Sequence, residues 1–374
     1  MAEPLKNYFD DRVPRAISVQ IATVWPDFPA DAFVQQVLVG YGELELMDRG
    51  RHIARTLGTY LPEAYPQALD LLLRSVGDRA PAAEGDGGMA SFLYLPHLCF
   101  VAEFGLDDFE RSMGALYILT QRFTAEFSIR PFIERYQSAS LALLHTWATD
   151  PNPHIRRLVS EGSRPRLPWA GRLRSFLKDP APVLALLERL KDDPEEFVRR
   201  SVANNLNDIG KDHPDTLLEV AQRWMADASP ARQALVRHAL RSLVKEGNAH
   251  ALEILGYGRS ASVRLEDVRL PAEVPKGGKV TVEFNVRSTS PSVQAVLVDL
   301  RVHFVKRNGR TSPKVFKLKA VNLRPGEVAS VRKSVSLADL TTRRHYPGRH
   351  SVEVLVNGRT EPLGSFVVTE PPSP

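Results

Sequence analysis

Seven of the eight charged side chains between Arg156 and Lys178 are basic, and the single acid among them is Glu161. Six of the seven cations are arginines, and a planar guanidinium binds two phosphate oxygens at once. The segment is therefore a candidate contact for nucleic acid. A solvated helix face would give the same composition, so the charge pattern alone leaves both interpretations open.

Two prolines and a glycine interrupt the helical pattern inside this basic segment, at Pro165, Pro168 and Gly171. Such residues end helices and form turns. They predict a loop that carries one large aromatic side chain, Trp169. Backbone N–H groups at the start of the following helix could add phosphate contacts.

Up to about residue 258, apolar residues recur every three or four positions, which is typical of amphipathic helices. Proline-containing dipeptides separate these helices. Helices this short cannot each bury a core alone, so we expect them to stack on one another. The clearest helical segments are 67–76, 182–190, 216–225 and 232–244.

The helical part repeats itself with an offset of 43 residues, since DPNPHIRRLV starts at Asp150 and DPEEFVRRSV at Asp193. A weaker copy starts at Asp107, and a fourth unit begins near Asp227 at a shorter spacing. Two helices in about 43 residues are typical of HEAT-type repeats, which predicts an α-solenoid. The alternative is a helical bundle without repeats.

Past Gly258 apolar and polar residues alternate, which is typical of half-buried β-strands. Seven strands in about 110 residues predict an antiparallel β-sandwich of immunoglobulin-like type. Asn308-Gly309 and Asn357-Gly358 lie where hairpin turns need residues that tolerate positive φ. The predicted domains are a HEAT-like domain at 1–258 and the sandwich at 259–374. The predicted strands are 262–270, 279–288, 293–307, 314–321, 328–337, 350–358 and 363–369.

The charge of the 374-residue chain is divided unevenly between these parts. Residues 1–258 hold 29 Lys and Arg against 34 Asp and Glu, whereas residues 259–374 hold 20 against 10. The excess of positive charge in the C-terminal third indicates a polyanionic partner.

The sequence also excludes several classes of protein. No apolar run approaches the roughly 20 residues of a membrane span and no signal peptide is evident, so we expect a location in the bacterial cytoplasm or nucleoid. The only cysteine, Cys99, has no disulfide partner and is predicted to be a buried structural thiol. The ten histidines lack metal-ligand spacing, so we expect neither metal nor cofactor. EGDGGM at 84–89 is predicted to be an inter-helix loop, and the final EPPSP is expected to fray.

Two motifs resemble those of a known family. RRLVSEGSRPRLPW, from Arg156, is followed one repeat later by VRRSVANNLNDIGKDHPD, from Val198. They resemble the AlkC family of alkylpurine DNA glycosylases, in the HEAT-like-repeat superfamily that also contains AlkD. The resemblance covers about residues 5–258 and is strongest at 145–215. Some AlkC members carry an immunoglobulin-like C-terminal domain, and the sandwich predicted here corresponds to it.

The resemblance implies that the chain excises cationic N3-alkylated purines, such as 3-methyladenine, from double-stranded DNA without fully extruding the base. It also implies that Glu161, Asp208 and Glu126 are catalytic acids and that Trp169 faces the lesion. We expect Glu161 and Asp208 to stabilise an oxocarbenium-like sugar and to orient a water toward C1′, with Glu126 supporting them. An aromatic face beside the lesion favours a cationic base.

Each of these four residues also has a purely structural interpretation. Glu161 could organise the arginine-rich loop, and Asp208 could cap a helix end. Glu126 could be a buried structural acid, and Trp169 could pack in the core between repeats.

The paired arginines Arg156-Arg157 and Arg199-Arg200 recur at the 43-residue offset. We expect one arginine of each pair to brace the neighbouring repeat and the other to contact phosphate. Basic residues around the Asn308-Gly309 turn would insert into a DNA groove or hold its backbone, unless the sandwich is only a basic accessory domain. The predicted DNA contacts are Arg157, Arg164, Arg166, Arg200, Lys306, Arg307 and Arg310.

No apolar helix presents a lysine as a Schiff-base nucleophile would require, which predicts a monofunctional enzyme. The sequence therefore predicts a base-excision repair glycosylase that acts as a monomer on alkylated DNA. Two other functions stay open. One is a HEAT-repeat scaffold that binds another protein without doing chemistry, and the other is a damage-binding protein that does not excise.

Overall fold

The computed structural model describes residues 5–77, 90–258, 260–340 and 343–370. The predicted loop at 84–89 and the tail beyond residue 370 lie outside them. Within these ranges helices precede strands, as predicted. No helix among the described residues is long and apolar enough to cross a membrane.

Sixteen α-helices and three short 3₁₀ helices lie in the described residues. The α-helices are α1 (Arg12–Val24), α2 (Ala30–Leu38), α3 (Leu46–Tyr60), α4 (Tyr65–Val76), α5 (Leu95–Phe104), α6 (Phe109–Leu119), α7 (Arg130–Arg135), α8 (Gln137–Trp147), α9 (Pro153–Gly162), α10 (Arg174–Lys178), α11 (Ala181–Leu190), α12 (Glu196–Ile209), α13 (Pro214–Met225), α14 (Pro230–Ala239), α15 (Arg241–Glu246) and α16 (Ala249–Ile254). The 3₁₀ helices are Leu5–Tyr8, Tyr41–Glu43 and Ala90–Tyr94.

The four helical segments predicted from periodicity are all present, as α4, α11, α13 and the pair α14 and α15. The last segment is divided in two at Leu240. The first helices share one apolar core that includes Phe33 and Ile53. Cys99 lies in this core, and burial raises the pKa of its thiol to about 12. The prediction of a structural thiol is confirmed.

The 43-residue repeat has a structural counterpart in the turns before α9 and α12. The carboxylates of Asp150 and Asp193 accept hydrogen bonds from the backbone N–H two residues later, at 2.8 and 2.9 Å. Arg156 and Arg199 donate to the carbonyl oxygens of these same turns. Arg156 also donates to the carboxylate of Asp193 at 2.6 Å, so it braces the next repeat as predicted.

Eight strands form two sheets. A three-stranded sheet has the order β1-β3-β6, and a five-stranded sheet has the order β2-β8-β7-β4-β5. Alternate residues of each central strand point into a shared apolar core, such as Val280, Val282 and Phe284. The strands are β1 (Val263–Arg269), β2 (Glu273–Pro275), β3 (Lys279–Ser288), β4 (Gln294–Val305), β5 (Thr311–Leu323), β6 (Val328–Ser336), β7 (Gly348–Val356) and β8 (Arg359–Thr369).

The seven predicted strands are confirmed, and β2 is the addition. This strand pairs in parallel with β8, whereas the other strand pairs are antiparallel. The prediction of a purely antiparallel sandwich is therefore wrong at this one pair. Three residues are too few to give an alternating pattern.

Both predicted hairpin turns are present. Asn357 and Gly358 have φ values of 46° and 79° and join β7 to β8 as a two-residue turn. In the turn between β4 and β5, Gly309 has a φ of 76°, and Lys306 N–H donates to the Arg310 carbonyl at 2.8 Å.

Contacts divide the chain into two compact units. The first contains Met1–Asp212 with Pro230–Leu235, and the second contains His213–Ser229 with Val236–Pro374. Helices α13, α15 and α16 therefore belong with the sandwich. The separate functions of 1–258 and 259–374 remain a prediction.

Replacing Gly358 with alanine tests how closely α16 approaches the β7–β8 turn. The added Cβ would lie 2.5 Å from Leu252 Cδ1, and the backbone would also be strained at a φ of 79°. We expect Gly358→Ala to lower the free energy of unfolding by roughly 2–4 kcal/mol. Gly309→Ala is the matched control, because its φ is 76° but no atom lies within 4 Å of the added Cβ. Equal losses of stability in chemical denaturation would contradict the close approach.

Candidate active site

Arg164 joins two of the predicted catalytic acids. Its Nη1 donates to Glu161 Oε1 at 2.6 Å, and its Nε donates to Asp208 Oδ2 at 2.8 Å. Glu161 lies near the end of α9 and Asp208 near the end of α12, and these two helices pack together. All three residues are buried. The structure therefore brings together two acids that are far apart in sequence.

The remaining oxygens of these two carboxylates also have donors. Ser201 Oγ donates to Glu161 Oε2 at 2.5 Å, and Lys211 Nζ donates to Asp208 Oδ1 at 2.8 Å. Buried charges lose their hydration and are tolerated when each is paired and hydrogen-bonded. Burial acts to lower the pKa of Arg164, but the charges and hydrogen bonds of the two acids outweigh it and raise that pKa. The guanidinium therefore stays charged.

The side chain of Asp208 does not cap a helix. It accepts hydrogen bonds from Arg164 and Lys211 rather than from backbone N–H groups at a helix start. The alternative of a helix-terminus cap is therefore wrong. Glu161 does organise the arginine-rich loop through Arg164, so this structural role coexists with its predicted catalytic one.

Glu126 lies in the turn before α7, beside the ion pairs of Arg164. Its Oε2 accepts from Thr124 Oγ1 at 2.8 Å and from Arg157 Nη2 at 3.1 Å. Its Oε1 accepts no hydrogen bond from the described residues. Burial raises the pKa of Glu126, the charge of Arg157 acts to lower it, and the charge of Glu161 adds to the rise.

Trp169 projects from the loop at residues 163–173, called here the Trp169 loop. Its side chain is 75% exposed, so the alternative of core packing is wrong. Its φ of 65° lies in the left-handed region, which costs a bulky residue on the order of 1–2 kcal/mol. Leu167 and Leu173 anchor the loop because both are buried. An aromatic face is thus held outside the core by a strained but anchored backbone.

Sequence reasoning missed Arg130, at the start of α7. The side chain is buried and donates to the backbone carbonyls of Gly162, Arg164 and Gly171, at 3.2, 2.7 and 2.5 Å. Ser201 and Lys211 were also missed. Both lie in the motif that starts at Val198, although their type alone did not mark them, whereas no motif contains Arg130.

The predicted DNA-contacting arginines of the first unit differ in their surroundings. Arg157 is bound to Glu126, and Arg166 is half-buried in a two-point contact with Asp212 at 2.6 and 2.5 Å. Arg200 is exposed and has no hydrogen bond or ion pair with the described residues. Arg164 is 7% exposed and committed to two acids, which argues against the predicted phosphate contact and gives it a structural role instead.

The basic residues of the β4–β5 turn line an open cavity of about 860 Å³. Lys306, Arg307 and Arg310 are all exposed there. Arg343 and Arg344 also line this cavity, although the sequence does not single them out. Five cations therefore face one space.

No group of three or more His, Cys, Asp or Glu among the described residues could hold a metal ion.

Two families match parts of the chain. Residues 123–243 match the family described as "DNA alkylation repair enzyme", and residues 264–370 match "Uncharacterised protein YhaZ, C-terminal Ig-like domain". "Uncharacterized protein YhaZ" from Bacillus subtilis (strain 168) is 36% identical over 366 residues, which are 97% of this chain and 99% of that protein.

A solved structure matches the whole chain. Pseudomonas fluorescens alkylpurine DNA glycosylase AlkC, bound to DNA containing an abasic site analog, superposes with a TM-score of 0.90 at 39% identity. The match covers 99% of this chain and 100% of that one.

The raised pKa of Glu126 makes a pH-dependent contribution to stability that can be measured. Between its ordinary value of 4.5 and its folded value, the folded protein binds more protons than the unfolded chain, so rising pH destabilises the fold. We therefore expect the Tm of the wild type to fall relative to that of Glu126→Gln as pH rises from 4.5. Thr124→Val keeps the carboxyl group and should follow the wild type. A wild-type Tm that rises relative to Glu126→Gln would contradict the assignment.

Proposed function

The chain belongs to the AlkC family of alkylpurine DNA glycosylases, and from this premise we propose that it hydrolyses the glycosidic bond of cationic N3-alkylated purines in double-stranded DNA. An example of such a damaged base is 3-methyladenine. We propose further that the enzyme acts as a monomer, does not cut the DNA strand, and handles the lesion without fully extruding the base.

The chemistry requires stabilisation of a cation rather than a strong acid. The C1′–N9 bond breaks with its electron pair passing to the purine, which neutralises the charge of the alkylated base. The oxygen of a water molecule bonds to C1′, and this water loses a proton. Positive charge develops on the sugar in between, so nearby fixed carboxylates lower the barrier.

The observation that carries the proposal is the pair of buried carboxylates bound to Arg164, at the base of the loop that exposes Trp169. Carboxylates in a low-dielectric site act on a developing cation more strongly than in water. Both oxygens of Glu161 and both oxygens of Asp208 accept hydrogen bonds from Arg164, Ser201 or Lys211. The two carboxylates are therefore suited to stabilise the sugar cation.

Glu126 is best suited to bind the hydrolytic water. Each oxygen of Glu161 and Asp208 already accepts a hydrogen bond, whereas Glu126 Oε1 accepts none from the described residues. Burial raises its pKa, which makes the carboxylate a better proton acceptor. We therefore propose that Glu126 binds the hydrolytic water, a role that the sequence assigned to Glu161 and Asp208. These two acids then stabilise the sugar cation.

Trp169 and Lys211 support the remaining parts of the proposal. The exposed indole of Trp169 can contact a cationic base, which a cation–π interaction favours by roughly 0.5–2 kcal/mol. Lys211 lies near the acids, but its ammonium donates to Asp208 at 2.8 Å and is not a free amine. This arrangement supports hydrolysis without a Schiff base.

Substitution of the acids tests the proposed roles. We expect Glu161→Gln, Asp208→Asn and Glu126→Gln each to slow the release of 3-methyladenine from duplex DNA by about 10²–10³-fold under single-turnover conditions. Asp212→Asn is the control, because it removes a carboxylate that binds Arg166 outside the cluster, and its rate should stay within about twofold of the wild type.

The outcomes separate the candidate functions. Release that none of the three acid variants slows would overturn the residue roles. A wild type that releases no base but binds alkylated DNA would instead be a damage-binding protein. Loss of both activities would favour a protein-binding scaffold.

The basic cavity of the sandwich predicts a salt-dependent contribution to DNA binding. Each phosphate contact contributes about 0.9 to the slope of log K against log salt concentration. We expect the double variant Arg307→Ala/Arg310→Ala to reduce that slope by about 2 and to weaken binding to damaged and undamaged duplexes equally. Arg264→Ala/Lys279→Ala, which removes two exposed cations from the other sheet, is the matched control. Identical slopes for the two double variants would remove the proposed role.

A further inference from the structure

Arg130 is a buried cation whose hydrogen-bond partners among the described residues are all backbone carbonyls. It is 5% exposed, and no carboxylate forms an ion pair with it among the described residues. Burial lowers the pKa of its guanidinium to about 10, so the group is still charged at neutral pH. The charges of Glu134, Asp208 and Glu126 act to raise that pKa but none forms an ion pair with Arg130. Burying a charge without an ion pair is costly, and five N–H donors in a rigid fork are unnecessary for packing alone. The three carbonyls therefore indicate what the side chain does.

These carbonyls mark both ends of the Trp169 loop. Gly162 is the last residue of α9 and follows Glu161, Arg164 carries the ion pairs, and Gly171 comes two residues after Trp169. One guanidinium thus ties the entry of the loop to its exit.

The approach of α9 to Arg130 leaves little space for adjustment. A Cβ added at Gly162 would lie 2.7 Å from Cγ2 of Ile129, the residue before Arg130. Ile129 is itself fully buried. The guanidinium is therefore fixed relative to the end of α9.

The backbone of Trp169 needs such a support. A non-glycine residue keeps a φ of 65° only where its surroundings over-determine the conformation. The exposed indole has few neighbours that could hold the backbone of Trp169 in this conformation. The constraint must come from the loop backbone, and the Gly171 carbonyl is its point of attachment to Arg130 at 2.5 Å.

We propose that Arg130 is a positioning residue that holds the Trp169 loop in the conformation that presents the indole to a lesion. This inference rests on the proposed function, because it takes Trp169 to contact the damaged base. Arg130 acts on lesion affinity through Trp169. It does not act on the bond-breaking step, because it donates no hydrogen bond to the carboxylates of Glu161 and Asp208, which the side chain of Arg164 holds.

Single-turnover release of 3-methyladenine, measured over a range of protein concentrations, separates affinity from the maximal rate. We expect Arg130→Lys, which keeps the charge but cannot reach all three carbonyls, to raise the half-saturating concentration about tenfold. The maximal rate should stay within about twofold of the wild type. A lower maximal rate with unchanged half-saturation would overturn the proposal.

A double-mutant cycle tests whether the effect passes through Trp169. In a Trp169→Ala background, Arg130→Lys should change half-saturation by less than about twofold. The same tenfold change in both backgrounds would mean that Arg130 acts elsewhere, and the proposal would be wrong. Arg130→Met, which removes the charge but retains bulk, should reproduce the effect of Arg130→Lys.

Fluorescence tests the loop without any activity. Trp169→Phe serves as the subtraction reference for the other three tryptophans of the chain. We expect Arg130→Lys to lower the anisotropy of the Trp169 signal while the Tm of the protein changes little, and an unchanged anisotropy would overturn the proposal. If Arg130→Lys and Arg130→Met both unfold, Arg130 is a core residue and the specific role is lost. A wild type that releases no base would defeat the proposed function, whereas the anisotropy would still decide the role of Arg130.

Discussion

The guanidinium of Arg164 makes it possible to bury two carboxylates side by side. Glu161 and Asp208 would repel each other and lose their hydration if they were packed together without a cation. Arg164 turns inward to both acids directly after α9 ends at Gly162. This charge arrangement joins the ends of α9 and α12, whose apolar faces also pack together, and it lies at the start of the loop that Pro165 and Pro168 impose.

Because Arg164 binds both Glu161 and Asp208, other side chains are available to bind water and the damaged base. All four carboxylate oxygens of Glu161 and Asp208 accept hydrogen bonds, which fixes the orientation of both groups. One oxygen of Glu126 has no hydrogen-bond donor among the described residues, and the side chain of Trp169 is largely exposed. In the proposed mechanism, stabilising charge, accepting a proton and contacting a base are therefore assigned to different side chains, each in the environment that its task requires.

The predictable parts of the fold and the site are those that leave a periodic or local signal. Alternation revealed seven strands but not β2, which is too short to alternate. The breakers around Trp169 predicted its loop correctly. Composition does not distinguish an arginine that points into the core from one that points into solvent. The sequence therefore predicts a phosphate contact for Arg164, which the structure buries. The role of Arg130 could not be predicted from the sequence, because its partners are backbone carbonyls that any residue type could supply.

The distribution of charge implies that affinity and selectivity arise in different parts of the chain. In the first unit, most arginines near the acids are already paired with carboxylates, and residues 1–258 carry more acids than bases. In the sandwich, exposed cations surround an open cavity, and bases outnumber acids two to one in residues 259–374. Exposed cations bind any DNA phosphate, and this binding weakens as the salt concentration rises. An anchored indole instead favours a cationic base through a cation–π contact. Salt should therefore reduce binding to all DNA, while discrimination between damaged and undamaged sites should persist.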